Sequence, residues 1–131
     1  MTYESIRNHP EVLALLARGD YNLGVLGFTD HSTAHTALVA DRAAYILRKL
    51  GYSEHLQELA KIAGFMHDIG NAINRKNHAE YGALLANDIL KSMGMDMDDR
   101  IMVIAAIGNH DESTGGAKDP LSAALILADK T

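Results

Sequence analysis

The 131-residue sequence predicts an all-α fold, a bundle of about six helices. Its apolar residues recur at three- and four-residue spacing, which lays them along one face of a helix, and no stretch alternates as a half-buried strand does. Capping residues and glycines fall at the ends of these periodic runs. A chain of this length, 47% apolar and 22% charged, can enclose one hydrophobic core. One domain is therefore expected over 1–131, with an N-terminal helix and connection over 1–28 and a helical core over 29–131.

The first helix is expected over Tyr3 to Arg18, stopping at Gly19, and "YNLGVLGF" reads as a glycine-punctuated connection. Thr29 or Asp30 can cap the second helix, which runs to Leu50 and stops at Gly51. Ser53 caps the third, which reaches Ile69 and ends at Gly70. The fourth begins around Asn77 and ends near Met93, before Gly94. Asp96 caps the fifth, whose first turn carries Asp98 and Asp99 against the helix dipole. After the loop "STGGAK", Asp119 caps the last helix and Pro120 takes its first position, where a missing N–H costs nothing.

Composition narrows the function. A formal charge of −5 argues against a broad basic surface for nucleic acid, although local cations or a metal can still attract a small phosphorylated substrate. With no cysteine there are no disulfides, thiolate zinc sites or cysteine nucleophiles. The N-terminal "MTYESIRNHPE" has no signal-peptide pattern, and no apolar run approaches the roughly 18 residues of a membrane span, so a cytoplasmic protein is expected. The six methionines read as core filling, and nothing in the sequence fixes an oligomeric state.

Histidine is the unusual component, with seven residues. His31 and His35 continue the apolar stripe of Val39, Ala43, Ile46 and Leu50, and His67 continues that of Leu56, Ala60 and Ala63. His78 leads Gly82, Leu85 and Ile89; His110 follows Val103 and Ile107; Asp129 follows Leu121 and Leu125. Taken singly, His78 or His110 reads as a core histidine satisfied by a carbonyl, and Asp129 as a solvated carboxylate near a terminus. Taken together, five helices aim His or Asp inward near an end. Burying so many titratable groups costs several kcal/mol unless they are paired or share a metal. His and carboxylate ligands without thiolate suit Fe, Mn, Co, Ni or Zn. Adjacent residues point about 100° apart on a helix, so His67 and Asp68 reach two sides of a metal only at a helix end. A carboxylate can bridge two ions and an imidazole does not, which makes Asp68 the candidate bridge.

These residues resemble the HD-domain superfamily of metal-dependent phosphohydrolases. The pattern of a histidine, an adjacent His-Asp and a distal Asp reads here as His35 in "HTALVADRAAYILRKLG", His67 and Asp68 in "FMHDIG", and Asp129 in "LILADK". The extra histidines of two-metal members have counterparts in His78 of "NHAEYGA" and His110 of "IGNHDE". The resemblance spans roughly residues 30 to 131. It implies one ion held by His35, His67, Asp68 and Asp129 and a second held by Asp68, His78 and His110, with Fe or Mn favoured. His31 is a further candidate ligand by analogy with trinuclear relatives. Asp111 stands where the cyclic-dinucleotide branch has the second histidine of a pair. Asn71 replaces the lysine usual after "HDIG", and no glycine-tyrosine-proline element follows His110, which argues against cleavage of cyclic di-GMP.

The implied activity is hydrolysis of a small phosphate ester or nucleotide by a metal-bound hydroxide, with Asp68 bridging and orienting it. Asn71, Arg75 and Lys76 are candidate substrate contacts, the two cations reading equally well as a solvated loop. Lys118 and Lys130 are weaker candidates of the same kind, and Glu112 is either a proton acceptor or a solvated turn carboxylate. Two alternatives remain: an HD-fold di-iron oxygenase, which shares these ligand types, and a regulatory HD module that binds a nucleotide or metal without turnover.

Overall fold

The computed structural model describes residues 2–27, 33–111 and 118–130. Among them are seven α-helices and one 3-10 turn: α1 (Tyr3–Arg7), α2 (Pro10–Val25), α3 (Thr33–Lys49), α4 (Glu54–Met66), the turn (Ile69–Ala72), α5 (His78–Ser92), α6 (Met97–Gly108) and α7 (Pro120–Lys130). None is long and apolar enough to cross a membrane.

Local chemistry sets most of the ends. The Ser53 hydroxyl accepts from the Leu56 N–H at 3.1 Å, Asp96 accepts from the Asp98 and Asp99 N–H groups at 3.1 and 3.4 Å, and Asp119 accepts from the Ser122 N–H at 2.8 Å. Each satisfies donors that a helix start leaves without intrahelical partners. After α3 and α5 the chain turns through Gly51 and Gly94, both at φ +84°, a left-handed conformation that favours glycine.

Three boundaries differ from expectation. The first helix is split, because Pro10 opens a new one and the His9 ring caps it, accepting from the Glu11 N–H at 3.2 Å. The split brings the count to seven. Gly19 does not stop α2, and the expected connection is helical as far as Val25. Gly19 instead lets the helix approach the 3-10 turn, where an added Cβ would stand 3.1 Å from the Asn71 Cβ. Finally, α4 ends at Met66, short of Ile69, and the chain tightens into the 3-10 turn. The expected start of the second helix at Thr29 or Asp30 lies outside the described residues. At its far end Leu50 is 68% exposed and does not continue the inward stripe.

The α3–α4 pair makes the most extensive helix contact, and its backbones meet at Gly64, where a Cβ would lie 2.6 Å from the Ala40 Cα. Phe65, Ile62, Met66 and Leu47 are buried around this pair, with Leu90 of α5, Ile107 of α6 and Leu121 and Leu125 of α7. Each such side chain contributes about 1.5–3 kcal/mol by leaving water. This core places the first turn of α3, the end of α4, the start of α5, the end of α6 and the last turn of α7 around one region.

Candidate metal centre

Three histidines are oriented by the same local device. His67 follows the last residue of α4, His78 opens α5, and His110 lies just past α6. Each Nδ1 faces the carbonyl three residues earlier: Gly64 at 2.6 Å, Arg75 at 3.0 Å and Ile107 at 2.6 Å. A carbonyl oxygen only accepts, so Nδ1 carries the hydrogen in all three rings. Each Nε2 is thereby left to face inward.

Asp68 stands between them. Its Oδ2 lies 3.2 Å from His67 Nε2, and its Oδ1 lies 3.7 Å from His78 Nε2 and 3.8 Å from His110 Nε2. On the other side of His67, Asp129 Oδ1 is 3.2 Å from His67 Nε2 and 3.4 Å from His35 Nε2. His67, Asp68, His78 and His110 are buried, whereas His35 and Asp129 are partly exposed at the rim.

The electrostatics are strained without a cation. Burial pushes the His67 imidazolium towards losing its proton, but the Asp68 and Asp129 carboxylates outweigh it and hold its pKa well above the ordinary value. Burial, then the Arg75 charge, lowers that of His78. Burial, then the positive charge of His67, pushes His110 down to about 4. Burial alone would raise Asp129; the His35 and His67 rings close against its carboxylate, and the positive charge of His67, hold it far below the carboxylate range. The Nε2 atoms of His78 and His110 face each other at 3.1 Å. With both Nδ1 atoms protonated and both rings neutral, two lone pairs meet there and repel.

A divalent cation fits this donor set. His35, His67 and Asp129 form one group whose ligand atoms lie within 4.8 Å of one another, and His67, Asp68 and His110 form another. His67 Nε2, shared by both, is buried and has no hydrogen bond of acceptable geometry among the described residues. Imidazole and carboxylate donors with no sulfur match the preferences of Fe, Mn, Co, Ni and Zn. The backbone carbonyls behind His67, His78 and His110 supply the outer contacts that fix the tautomer of metal-binding histidines.

The remaining candidates fall around this core. Asp111 is half-buried on the far side of His78, its Oδ2 4.0 Å from Nδ1. Asn71 is buried; its Oδ1 accepts from Arg75 Nη1 at 3.4 Å, while its Nδ2 has no hydrogen-bond partner among the described residues. Arg75 is half-buried, and Lys76, Lys118 and Lys130 are exposed. His31 and Glu112 lie outside the described residues.

Two contributors escaped sequence reasoning. Asn22 of α2 donates through Nδ2 to the carbonyls of Asn71 at 2.9 Å and Ala72 at 3.1 Å, clamping the turn that follows Asp68. Gly70 does not act as a helix stop. A Cβ there would fall on the His78 carbonyl oxygen and 2.6 Å from the Gly82 N, so only glycine lets the turn cross the start of α5 and bring Asp68 to His78. Its place directly after "HDI" was the available signal.

Comparison with known proteins bears on the family and the fold. The family model for the HD domain matches residues 33–131. The chain is 27% identical over 108 residues to an uncharacterised protein of Methanocaldococcus jannaschii, covering 71% of this chain and 42% of that one. It is 30% identical over 119 residues to ribonuclease Y of Oleidesulfovibrio alaskensis, covering 91% of this chain and 20% of the relative. Against ribonuclease Y of Fervidobacterium nodosum it is 31% identical over 123 residues, covering 92% and 22%. The chain thus spans less than half the length of these curated relatives. The crystal structure of a predicted HD superfamily hydrolase from an uncultured Thermotogales bacterium superimposes with a TM-score of 0.69 at 25% identity, covering 93% of this chain and 66% of that one.

Proposed function

The chain belongs to the HD-domain family, and on that premise we propose that it is a metal-dependent phosphohydrolase acting on a small phosphate ester or nucleotide. The observation that carries this reading is the carboxylate of Asp68. It turns one oxygen to His67 and the other to His78 and His110, the arrangement suited to bridging two ions. His35, His67, Asp68 and Asp129 would hold one ion, and Asp68, His78 and His110 the other, with Asp111 the lesser candidate beside His78. Bound divalent ions lower the pKa of water towards neutrality and offset charge on phosphoryl oxygens.

The protein's own groups do the rest. His67, His78 and His110 keep Nδ1 on backbone carbonyls, so their rings hold their orientation through a reaction cycle. Asp68 and Asp129 carry the negative charge that draws cations into a largely buried site. Asn71 and Arg75 border it through one hydrogen bond, and the Arg75 guanidinium can take two oxygens of a phosphate. Lys76, on the same loop, adds positive charge from solvent.

The test is phosphate release from a panel of phosphomonoesters, phosphodiesters and nucleotides, with Mn or Fe supplied under anaerobic conditions. Turnover that requires added metal and disappears in Asp68→Ala is the expected result. Turnover unchanged in Asp68→Ala, or product formation that consumes oxygen, would refute it.

A further inference from the structure

The outer faces of α3 and α4 form a pocket of about 430 Å³ that shares no residue with the candidate metal centre. Arg42, Tyr45 and Arg48 recur at three-residue spacing and so lie on one face of α3, while Gln57 and Lys61, four apart, line the pocket from α4. Three cations meet there with a single carboxylate, that of Asp41. The concentration stands out in a chain whose formal charge is −5.

Rings rather than carboxylates hold these cations. The Arg48 guanidinium lies 5.3 Å and the Lys49 ammonium 5.6 Å from the centroid of Tyr45, and Lys61 Nζ lies 5.9 Å from that of the buried Tyr3 ring. Among the described residues, none of Arg42, Arg48, Lys49 and Lys61 forms an ion pair or donates a side-chain hydrogen bond. A ring fixes such a cation without neutralising it, and the N–H groups keep their capacity to donate. Arg42 and Lys61 are half-buried, so solvent screens their field less than that of a free surface cation.

We propose that this pocket is an anion site, separate from the metal centre, that takes a small ligand carrying two or more phosphate groups of the pyrophosphate kind. The two guanidinium forks suit pairs of phosphoryl oxygens, and Lys61 adds a point charge from the facing helix. Recognition is by charge, because the Tyr45 ring already carries two cations. The volume is within the range of small-molecule sites. The acidic remainder of the chain disfavours an extended polyanion such as nucleic acid, which would have to pass over it. A ligand seated here would tie α3, which carries His35, to α4, which His67 follows. The assignment holds whether or not the centre hydrolyses phosphate esters.

Isothermal titration calorimetry with inorganic pyrophosphate reads this site. Binding should be saturable and should weaken as salt rises. Arg48→Gln and Lys61→Gln should each weaken it by about tenfold, the scale of one charge-assisted hydrogen bond, and Lys61→Arg should keep most of the affinity. Arg48 is exposed, so its replacement leaves the core untouched. Lys91→Gln removes the same charge from an exposed position on α5 and should change the affinity by less than about twofold. Pyrophosphate also chelates metal ions, so the titrations are repeated on protein dialysed free of metal, where the same affinity and the same losses are expected. Absence of binding, or losses in Lys91→Gln equal to those in the pocket variants, overturns the site. Binding that vanishes once metal is removed overturns it too, because the anion then sits at the centre. An RNA oligonucleotide held through Arg48 and Lys61 more tightly than pyrophosphate would overturn the small-ligand assignment.

Discussion

Gly70→Ala is the substitution whose cost follows most directly from the structure. The new methyl would fall on the His78 carbonyl oxygen and come within 2.6 Å of the Gly82 N and 2.8 Å of the His78 carbonyl carbon, where ordinary contacts are 3.4–4 Å. These are backbone atoms of α5, so no rotamer change relieves them. The turn must move away from α5 by roughly 1 Å, against close-packed surroundings. Overpacking of this kind costs about 3 kcal/mol, the upper part of the usual range. A cost of that size is a large share of a marginal stability and lowers Tm by about 10 °C in a domain of this size. The same movement draws Asp68 away from His78 and His110, so bound metal falls as well. Gly24→Ala is the matched control: none of the described residues stands within 4 Å of its added Cβ, and near the end of α2 it should be neutral or stabilise by up to about 0.5 kcal/mol. Differential scanning calorimetry with metal analysis reads both variants. Parent-like Tm and metal content in Gly70→Ala would refute the close-crossing account.

Asn22→Ala deletes the donor to two backbone carbonyls and should cost about 1–2 kcal/mol in urea unfolding, whereas a surface asparagine would cost almost nothing. Asp96→Ala removes an acceptor from two N–H groups at the start of α6 and should cost about 1 kcal/mol in the same assay, with metal content unchanged. In the metal-free protein, the folded pKa of His110 lies near 4, below the 6.5 of a free histidine, so between those values the unfolded chain binds more protons. Its contribution to stability should therefore fall by up to about 3 kcal/mol as pH drops from 6.5 to 4, and His110→Gln should flatten that dependence. His67 has the opposite sign: its raised pKa contributes stability below pH 6.5 that is lost as pH rises through the folded value. A metal competes for that Nε2 proton, so metal affinity should tighten with rising pH, read by titration with Mn at several pH values.

The helix ends that were legible in the sequence are those fixed by neighbouring residues. Ser53, Asp96 and Asp119–Pro120 act on N–H groups within one turn, and Gly51 and Gly94 reverse the chain by their own backbone. The ends where sequence and structure differ depend on distant partners. Gly19 looks like a stop, yet it lies inside α2 because the helix needs a small residue against Asn71. The apolar run continues beyond Met66 and so points to an end at Ile69, whereas His67 and Asp68 leave the helix and lead into the 3-10 turn. The inward-facing residues His35, His67, His78, His110 and Asp129 can be grouped because each sits near a helix end on an apolar stripe, and Asp68 joins them because it adjoins His67 at such an end. The carbonyl behind each of three rings follows from helix-end geometry that composition does not encode. Asn22 was invisible because its partners, the carbonyls of Asn71 and Ala72, are 49 and 50 residues away.

The central claim is that Asp68 joins two ions held by imidazoles from both sides. Metal per chain, measured by mass spectrometry on anaerobically purified protein, tests it most directly when the parent is compared with Asp68→Ala and His110→Ala. Two ions in the parent, both lost in Asp68→Ala and mainly one lost in His110→Ala, is the predicted result. No metal in the parent and none taken up on reconstitution, or an Asp68→Ala variant that keeps both ions, would contradict it.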